Sequence, residues 1–408
     1  MKTMILLFSI LCFTSSCKKE PMKQEPIVEN SNNQSEVVWT FDTEVRGGLA
    51  SLNYIYKNMI IQGHEYGNQQ MKVWAFSLDS GNIIWESEAL DISYPFNSHS
   101  ATLITNKLIF LRRAQIIILN ADNGSIIWDV TLPSQFTSYF RYYNDKMYIG
   151  MNDDQDDYSR IVTFDINTGS IEEVMRIERK YLDNYRPVLT PPGFWKHPSG
   201  DEIILMGNRS SGGSLNQAKY DRYDYMAYNV TADSMLWFKK GVLGKRGSIS
   251  SPLVMGDRVV FYVEREVVCL NALTGELEWE HLRHSSDNFS AYKTANITAW
   301  NHIVIAKPDS WHMYGIDNQT GKEVWSNAQT TTMPNKVRVV NDKIWMASGG
   351  VCCYDARTGR TLIDAWRYKN QGSYISPIAV DEKTGYIYTV ASGVVMCIDG
   401  NKLTNMGN

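Results

Sequence analysis

The sequence predicts an all-β chain: an eight-bladed β-propeller of four-stranded antiparallel blades, its ring closed by an N-terminal strand. Three observations carry this. A strand–turn–strand sentence recurs along the chain, best seen from Val267 to Trp279, where Asn271-x-x-Thr274-Gly275 forms the turn. Its copies are spaced by 43, 45, 64, 42, 46 and 38 residues, the period of units that carry four short strands each. Lastly, Val37–Phe41 is a strand with no partner nearby, while the last unit stops at Asn408 after its third strand. An N-terminal strand that completes the last blade removes both raw sheet edges.

The chain opens with Met1-Lys2-Thr3 and an apolar run from Met4 to Phe13, a signal-peptide core too short to span a bilayer. Residues 1–16 are assigned to this signal. Thr14-Ser15-Ser16-Cys17 puts small residues before a cysteine and resembles the lipobox of bacterial lipoproteins, with Thr14 where leucine is usual. The resemblance implies a lipid on Cys17; the alternative is an ordinary secretory signal with Cys17 incidental. Residues 17–36 form a flexible tether, rich in Lys, Glu, Asn and Gln with little to bury. Lys18 follows the cysteine, and the resemblance points to the outer membrane, periplasmic face or cell surface left open. Residues 37–408 form the propeller.

Within it the turn glycines are Gly81, Gly124, Gly169, Gly275, Gly321 and Gly359. Glycine takes positive φ without a Cβ clash, and Asn or Asp at the turn's start bonds its own backbone. Trp85, Trp128, Trp279 and Trp325 follow four residues after their glycines; Trp237 holds the same offset after Asp233, a degenerate turn. These indoles are expected to pack between blades. Asp399-Gly400-Asn401 is expected to make a shorter turn in the eighth unit. The segments ahead of each motif, such as Leu253–Phe261 broken by Gly256-Asp257, are expected to be innermost strands buried on both sides.

At these residues the chain resembles the pyrroloquinoline-quinone-type propeller repeat. Among such proteins it is most similar to the lipoprotein propeller subunits of outer-membrane β-barrel assembly machines. The resemblance implies a non-enzymatic, lipid-anchored scaffold that binds another envelope protein. Two alternatives stay open: a surface lipoprotein for glycans or other ligands, and a quinone-dependent dehydrogenase.

Without residues 1–16 the chain has 39 Lys+Arg and 44 Asp+Glu, with no basic footprint for nucleic acid. No apolar stretch long enough for a transmembrane helix follows the signal. Cys269, Cys353 and Cys397 share one repeat position, held by Ala75 and Ala227 elsewhere, so buried free thiols are expected. Cys352-Cys353 invites comparison with the adjacent-cysteine disulfide of quinoprotein dehydrogenases, but neighbours in a strand point to opposite faces. No catalytic set, metal site or cofactor is assigned. His281-x-x-His284 lacks a third ligand, and Asn152–Asp157 departs from an EF-hand loop, with Asp157 where glycine is required. That acidic run is placed between the first two strands of blade three.

The fourth unit carries about 20 extra residues, between Tyr185 and Arg222. Phe194 and Trp195 are expected to sit there in a loop as candidate partner-binding anchors. The Thr-Gly turns are expected on one face with the links between blades, and the hairpins between first and second strands on the other.

Overall fold

The fastening of the ring is visible in its first strand. In the computed structural model, Val37–Asp42 lies antiparallel to Val394–Asp399 near the C-terminus and pairs Trp39 with Cys397 and Phe41 with Val395. The structure describes residues 36–43, 50–66, 70–91, 101–112, 114–132, 137–152, 158–178, 189–210, 222–240, 250–263, 266–282, 296–307, 312–328, 337–368 and 377–406. The signal, Cys17 and residues 17–35 of the tether fall outside these. Glu36, assigned to the tether from sequence, belongs with the propeller: it is buried, and its carbonyl accepts a hydrogen bond from Asp399 N at 2.7 Å.

Eight antiparallel sheets follow one another, seven in sequential strand order and the eighth with the N-terminal strand beside the chain's last strand. Blade 1 comprises Ala50–Tyr56, Met59–Tyr66, Gln70–Ser77 and Ile83–Glu86, with Leu90–Asp91 as an added strand on the third. Blade 2 comprises Ala101–Ile104, Lys107–Arg112, Gln115–Asn120 and Ile126–Thr131. Blade 3 comprises Thr137–Tyr143, Lys146–Asn152, Tyr158–Asp165 and Ile171–Glu178. In blade 4 the strands are Gly193–Lys196, Glu202–Ser210, Arg222–Asn229 and Ser234–Lys239. Blade 5 has Leu253–Met255, Arg258–Val263, Glu266–Asn271 and Leu277–Leu282. Blade 6 has Asn296–Trp300, Ile303–Lys307, His312–Asp317 and Glu323–Ala328. Blade 7 has Arg338–Val340, Lys343–Ala347, Val351–Asp355 and Thr361–Trp366. Blade 8 joins Ala379–Val380, Tyr386–Ala391 and Val394–Asp399 to the N-terminal strand.

The apolar core is distributed into joints rather than gathered in one centre. Each of eight clusters unites side chains of two neighbouring blades; one joins Trp237 of blade 4 to Phe261 and Leu270 of blade 5. This division lets one closed domain outgrow an ordinary single core. First strands of adjacent blades touch, Leu253–Met255 lying against both Gly193–Lys196 and Asn296–Trp300, so these strands converge on the axis. They are only half-buried, whereas the second and third strands of blade 5 run as four or more consecutive buried residues. The innermost strands are covered on both faces, as the sequence leads one to expect, with Val254 packed toward blade 4 and Leu253 and Met255 toward blade 6. They are covered less deeply than the second and third strands because they border the axis.

Two further expectations are corrected. Gly400–Met406 forms a short helix in place of the eighth turn, and the edge that a returning strand would fill is taken by Val37–Asp42. The Thr-Gly turns share their face with the first-to-second-strand hairpins, not with the links between blades. Alternation of four strands requires this, and the bonds Ala121 N to Asn106 O, Ala272 N to Asp257 O and Ala356 N to Asp342 O, each 2.8–2.9 Å, tie turn to hairpin. By the same count, residues 153–157 of the acidic run link the second and third strands of blade 3; they lie outside the described residues.

Candidate functional site

The turn itself shows why its residue types recur. In blade 5, Asn271 Oδ1 accepts the backbone N–H groups of Leu273 and Thr274 at 3.0 and 3.1 Å, and Thr274 Oγ1 accepts that of Glu276 at 3.2 Å. Gly275 closes the turn at φ +70°, its N–H donating to Asn271 O at 2.8 Å. Where aspartate opens the turn, the same donors stabilise the ionised carboxylate. Thr168 and Asn167 N–H hold the Asp165 carboxyl below its ordinary range; at Asp317 the Thr320 hydroxyl leads the same effect.

Each turn glycine then meets a tryptophan of the blade before it. A Cβ on Gly275 would come 2.6 Å from the Trp237 ring, and one on Gly124 the same distance from Trp85. The indole Nε1–H donates to the carbonyl three residues ahead of that glycine: Trp85 to Ala121 at 3.1 Å, Trp237 to Ala272 at 2.9 Å, Trp279 to Asn318 at 2.8 Å. Trp128 and Trp325 bond Ile166 and Ala356 at 3.3 Å over Gly169 and Gly359, and Trp279 covers Gly321. Trp39 of the N-terminal strand does the same to Leu78 at 2.8 Å over Gly81, so ring closure uses the joint design of the other blades. The clasp links a ring face to a bare Cα and satisfies a buried donor at once.

Two joints lack it. In blade 3 a shifted bulge puts Glu173 opposite Val162 on the face toward blade 2, bonded to Arg176 at 2.9 Å and near Arg160 at 3.5 Å. The indole's place, paired with Thr163, is held by Glu172, which bonds Lys146 of its own blade at 2.8 Å. The guanidinium of Arg176 holds the Glu173 carboxyl below its usual range. In blade 4, exposed Asp233 stands at the turn glycine's place with φ +50°. The joint is filled instead by Met175, Met206 and Met226, with Phe194 stacked on Tyr143 at 4.3 Å and edge-on to Tyr148 at 4.8 Å. In blade 7 the position is Ile363, opposite Cys353, and the C-terminal helix brings Leu403 into that joint.

Phe194 and Trp195 thus lie in the first strand of blade 4, not in a loop. Trp195 is 8% exposed and packs toward blade 5, while Phe194 packs toward blade 3. Their neighbours Gly193 and Lys196 suggested a loop, but four-residue inner strands are too short to show a periodic pattern. The two rings are joint fillers.

All four cysteines of the propeller are free and buried. Burial pushes the Cys269 and Cys397 thiols up to about 12. Cys352 faces the joint to blade 6 and Cys353 the joint to blade 8, so this pair does not form the platform that a quinone would rest on. Among the described residues no group of three or more His, Cys, Asp or Glu converges on one point. His281 lies 3.6 Å from Glu323, edge-on to Tyr314; His284 is outside the described residues.

A groove of about 290 Å³ runs between blades 4 and 5. Tyr223, Tyr225, Lys239 and Lys240 form one wall, and Glu266, Glu280 and exposed Leu277 the other, closing at Gly275 and Glu276. Lys239 Nζ reaches Glu276 at 2.6 Å across the joint. Burial, reinforced by the Glu266 and Asp224 carboxylates, holds the Tyr225 phenol well above its ordinary range, so it stays neutral. Sequence reasoning missed this groove. The alternation of Tyr223 and Tyr225, which puts both on one face, was the available signal, but the opposite wall is about forty residues away.

The chain matches the family described as outer membrane protein assembly factor BamB over residues 69–174 and 194–402. It is 21% identical over 407 residues to the outer membrane protein assembly factor BamB of Shewanella oneidensis, covering 91% of this chain and 92% of that one. The crystal structure of BamB from Moraxella catarrhalis superposes with a TM-score of 0.55 at 14% identity, over 89% of this chain and 99% of that one. The quinohemoprotein alcohol dehydrogenase of Comamonas testosteroni gives 0.59 at 11% identity, over 89% and 76%. The two structural likenesses establish a common fold.

Proposed function

This chain belongs to the family of outer membrane protein assembly factor BamB, and from that premise we propose that it is a non-enzymatic binding scaffold in outer-membrane protein assembly. The observation that carries the reading is the extent of the family match, which runs through the ring and skips only residues 175–193 in its interior. The scaffold is held to the outer membrane by a lipid on Cys17, takes no cofactor, and docks an envelope protein through a groove-and-turn surface such as that between blades 4 and 5. No helix among the described residues is long and apolar enough to cross a membrane, which fits attachment from outside the bilayer core.

The groove suits a protein ligand. Its walls combine two tyrosines, an exposed leucine and both signs of charge, the mixture that anchors and orients a partner's side chains. A photo-crosslinking residue replacing Leu277 tests this in intact cells. The expected result is an adduct with a component of the β-barrel assembly apparatus, retained in a Cys17→Ser strain only if the lipid is dispensable for docking. No such adduct, with normal outer-membrane protein levels when the protein is removed, would contradict the proposal. Dye reduction by alcohols with added quinone and Ca²⁺ would instead favour the dehydrogenase reading.

A further inference from the structure

The eight joints are not equivalent, and the two exceptions lie opposite each other. Six carry the tryptophan–glycine clasp: Trp39, Trp85 and Trp128 fasten blades 8, 1, 2 and 3 in series, and Trp237, Trp279 and Trp325 fasten blades 4, 5, 6 and 7. The joints between blades 3 and 4 and between blades 7 and 8 have none. We propose that the ring is built as two rigid half-rings of four blades that hinge against each other at these two seams.

The physical case rests on what rotation would break. At a clasped joint, turning one blade against the next pulls an indole off a glycine Cα and strands a buried N–H, a cost met steeply with small displacement. At the 3/4 seam the corresponding position, opposite Thr163, is Glu172, which is held by Lys146 of its own blade at 2.8 Å. The filling combines Ile161, Ile177, Leu189 and Ile204 with three methionines, which repack through low-barrier rotamers, and the stacked rings of Phe194 and Tyr143, which can slide. The bond from Asn144 Nδ2 to Glu202 Oε1 at 2.7 Å joins two exposed side chains that can follow each other. At the 7/8 seam the covalent turn is absent. The indole there, Trp366, bonds the Glu36 carboxylate at 3.1 Å, a side chain that follows its partner. The carbonyl that is bonded across the seam, Glu382 O, is met at 3.0 Å by the exposed side chain of Asn341 rather than by a buried ring. A closed ring cannot open about one joint; it needs two, and opposite placement gives the least distortion elsewhere. The interior gap of the family match, residues 175–193, falls on the 3/4 seam. A partner seated across either seam would set the angle between the halves.

Hydrogen–deuterium exchange of the full chain compares the same strand position in every blade, which cancels ordinary edge fraying. Fourth strands Ile171–Glu178 and Thr361–Trp366 are expected to exchange about tenfold faster than those of the clasped blades. The double variant Glu172→Trp/Asp233→Gly, which puts an indole on the face toward blade 4 and a glycine at the facing turn, is expected to slow the first of these to the clasped rate. Spin labels give a second readout that does not need this variant to fold. A pair at Asn123 and Gln319, in different halves, should show a broader distance distribution than a pair at Ser80 and Thr168, in one half. Uniform exchange across blades, fast exchange at only one seam, or equal distance widths would each overturn the proposal.

Discussion

The joint between blades 4 and 5 and the joint between blades 3 and 4 share blade 4, bury comparable apolar side chains, and are fastened differently. At the first, Trp237 lies on Gly275 and bonds Ala272 O at 2.9 Å. At the second, Glu172 holds the indole's place and turns back to Lys146. Contact is left to aliphatic side chains, three methionines and the Phe194–Tyr143 stack, with one bond between exposed side chains, Asn144 Nδ2 to Glu202 Oε1 at 2.7 Å. Burial alone therefore does not say how a joint behaves. A hydrogen bond on a fixed carbonyl specifies one geometry, while sliding side chains specify only contact.

The largest effect should appear where the clasp is complete. Trp279→Ala, at a residue 7% exposed, is expected to cost about 3–5 kcal/mol in denaturant unfolding. A loss below about 1 kcal/mol would break the contrast, since the clasped joint would then depend on its indole no more than the unclasped one.

A clasped joint can still hold a liability, and the seam closed by the N-terminal strand has one. His64 is 1% exposed on the face of blade 1 toward blade 8, edge-on to Trp74, and among the described residues neither ring nitrogen has a hydrogen-bond partner. Burial lowers its pKa from 6.5 to about 4. The unfolded chain therefore binds the proton first on acidification. Stability is unaffected above pH 6.5 and is lost as pH falls toward 4, by roughly 3 kcal/mol in total. Melting temperatures across that window should fall more steeply for the wild type than for His64→Phe. Equal slopes would remove the histidine from the account.

Phe194→Ala sharpens the comparison from the other side. Half-buried and stacked on Tyr143, Phe194 should contribute about 2 kcal/mol to the 3/4 joint, read as a lowered melting temperature with partner capture unchanged. Capture lost at an unshifted melting temperature would restore its reading as a docking anchor. The smallest effect belongs to Glu173→Ala, expected within about 0.5 kcal/mol because its ion pairs are solvent-exposed.

Blade number, ring closure and the turn chemistry were legible in sequence, because each is local or periodic. Asn271, Thr274 and Gly275 declare their turn within five residues, and the orphan strand Val37–Phe41 declares the missing edge. What was not legible depends on which blade a residue meets. Phe194 and Trp195 sit in a strand of four residues, where alternation cannot be distinguished from a loop, and only the neighbouring blades reveal that both rings are covered. Glu173 stands four residues past Gly169, where the repeat has tryptophan, but the shifted bulge that turns it toward blade 2 is legible only in the strand register. Ile398–Lys402 read as a turn because Asp399 Oδ1 accepts the N–H groups of Asn401 and Lys402 at 3.0 Å, the same bonds that open the other turns, and here they open a helix.

The repeat also groups the wrong pair. Along the chain Gly275 and Trp279 belong to one motif, four residues apart, yet in the structure Gly275 lies beneath Trp237 of the preceding blade. A double-mutant cycle separates the two directly. Unfolding free energies are measured for Gly275→Ala alone, with Trp237→Ala, and with Trp279→Ala. The clasp predicts a coupling of about 1 kcal/mol or more between Gly275 and Trp237, since removing the indole relieves the methyl's clash, and additivity with Trp279. Coupling to Trp279 with additivity toward Trp237 would contradict it.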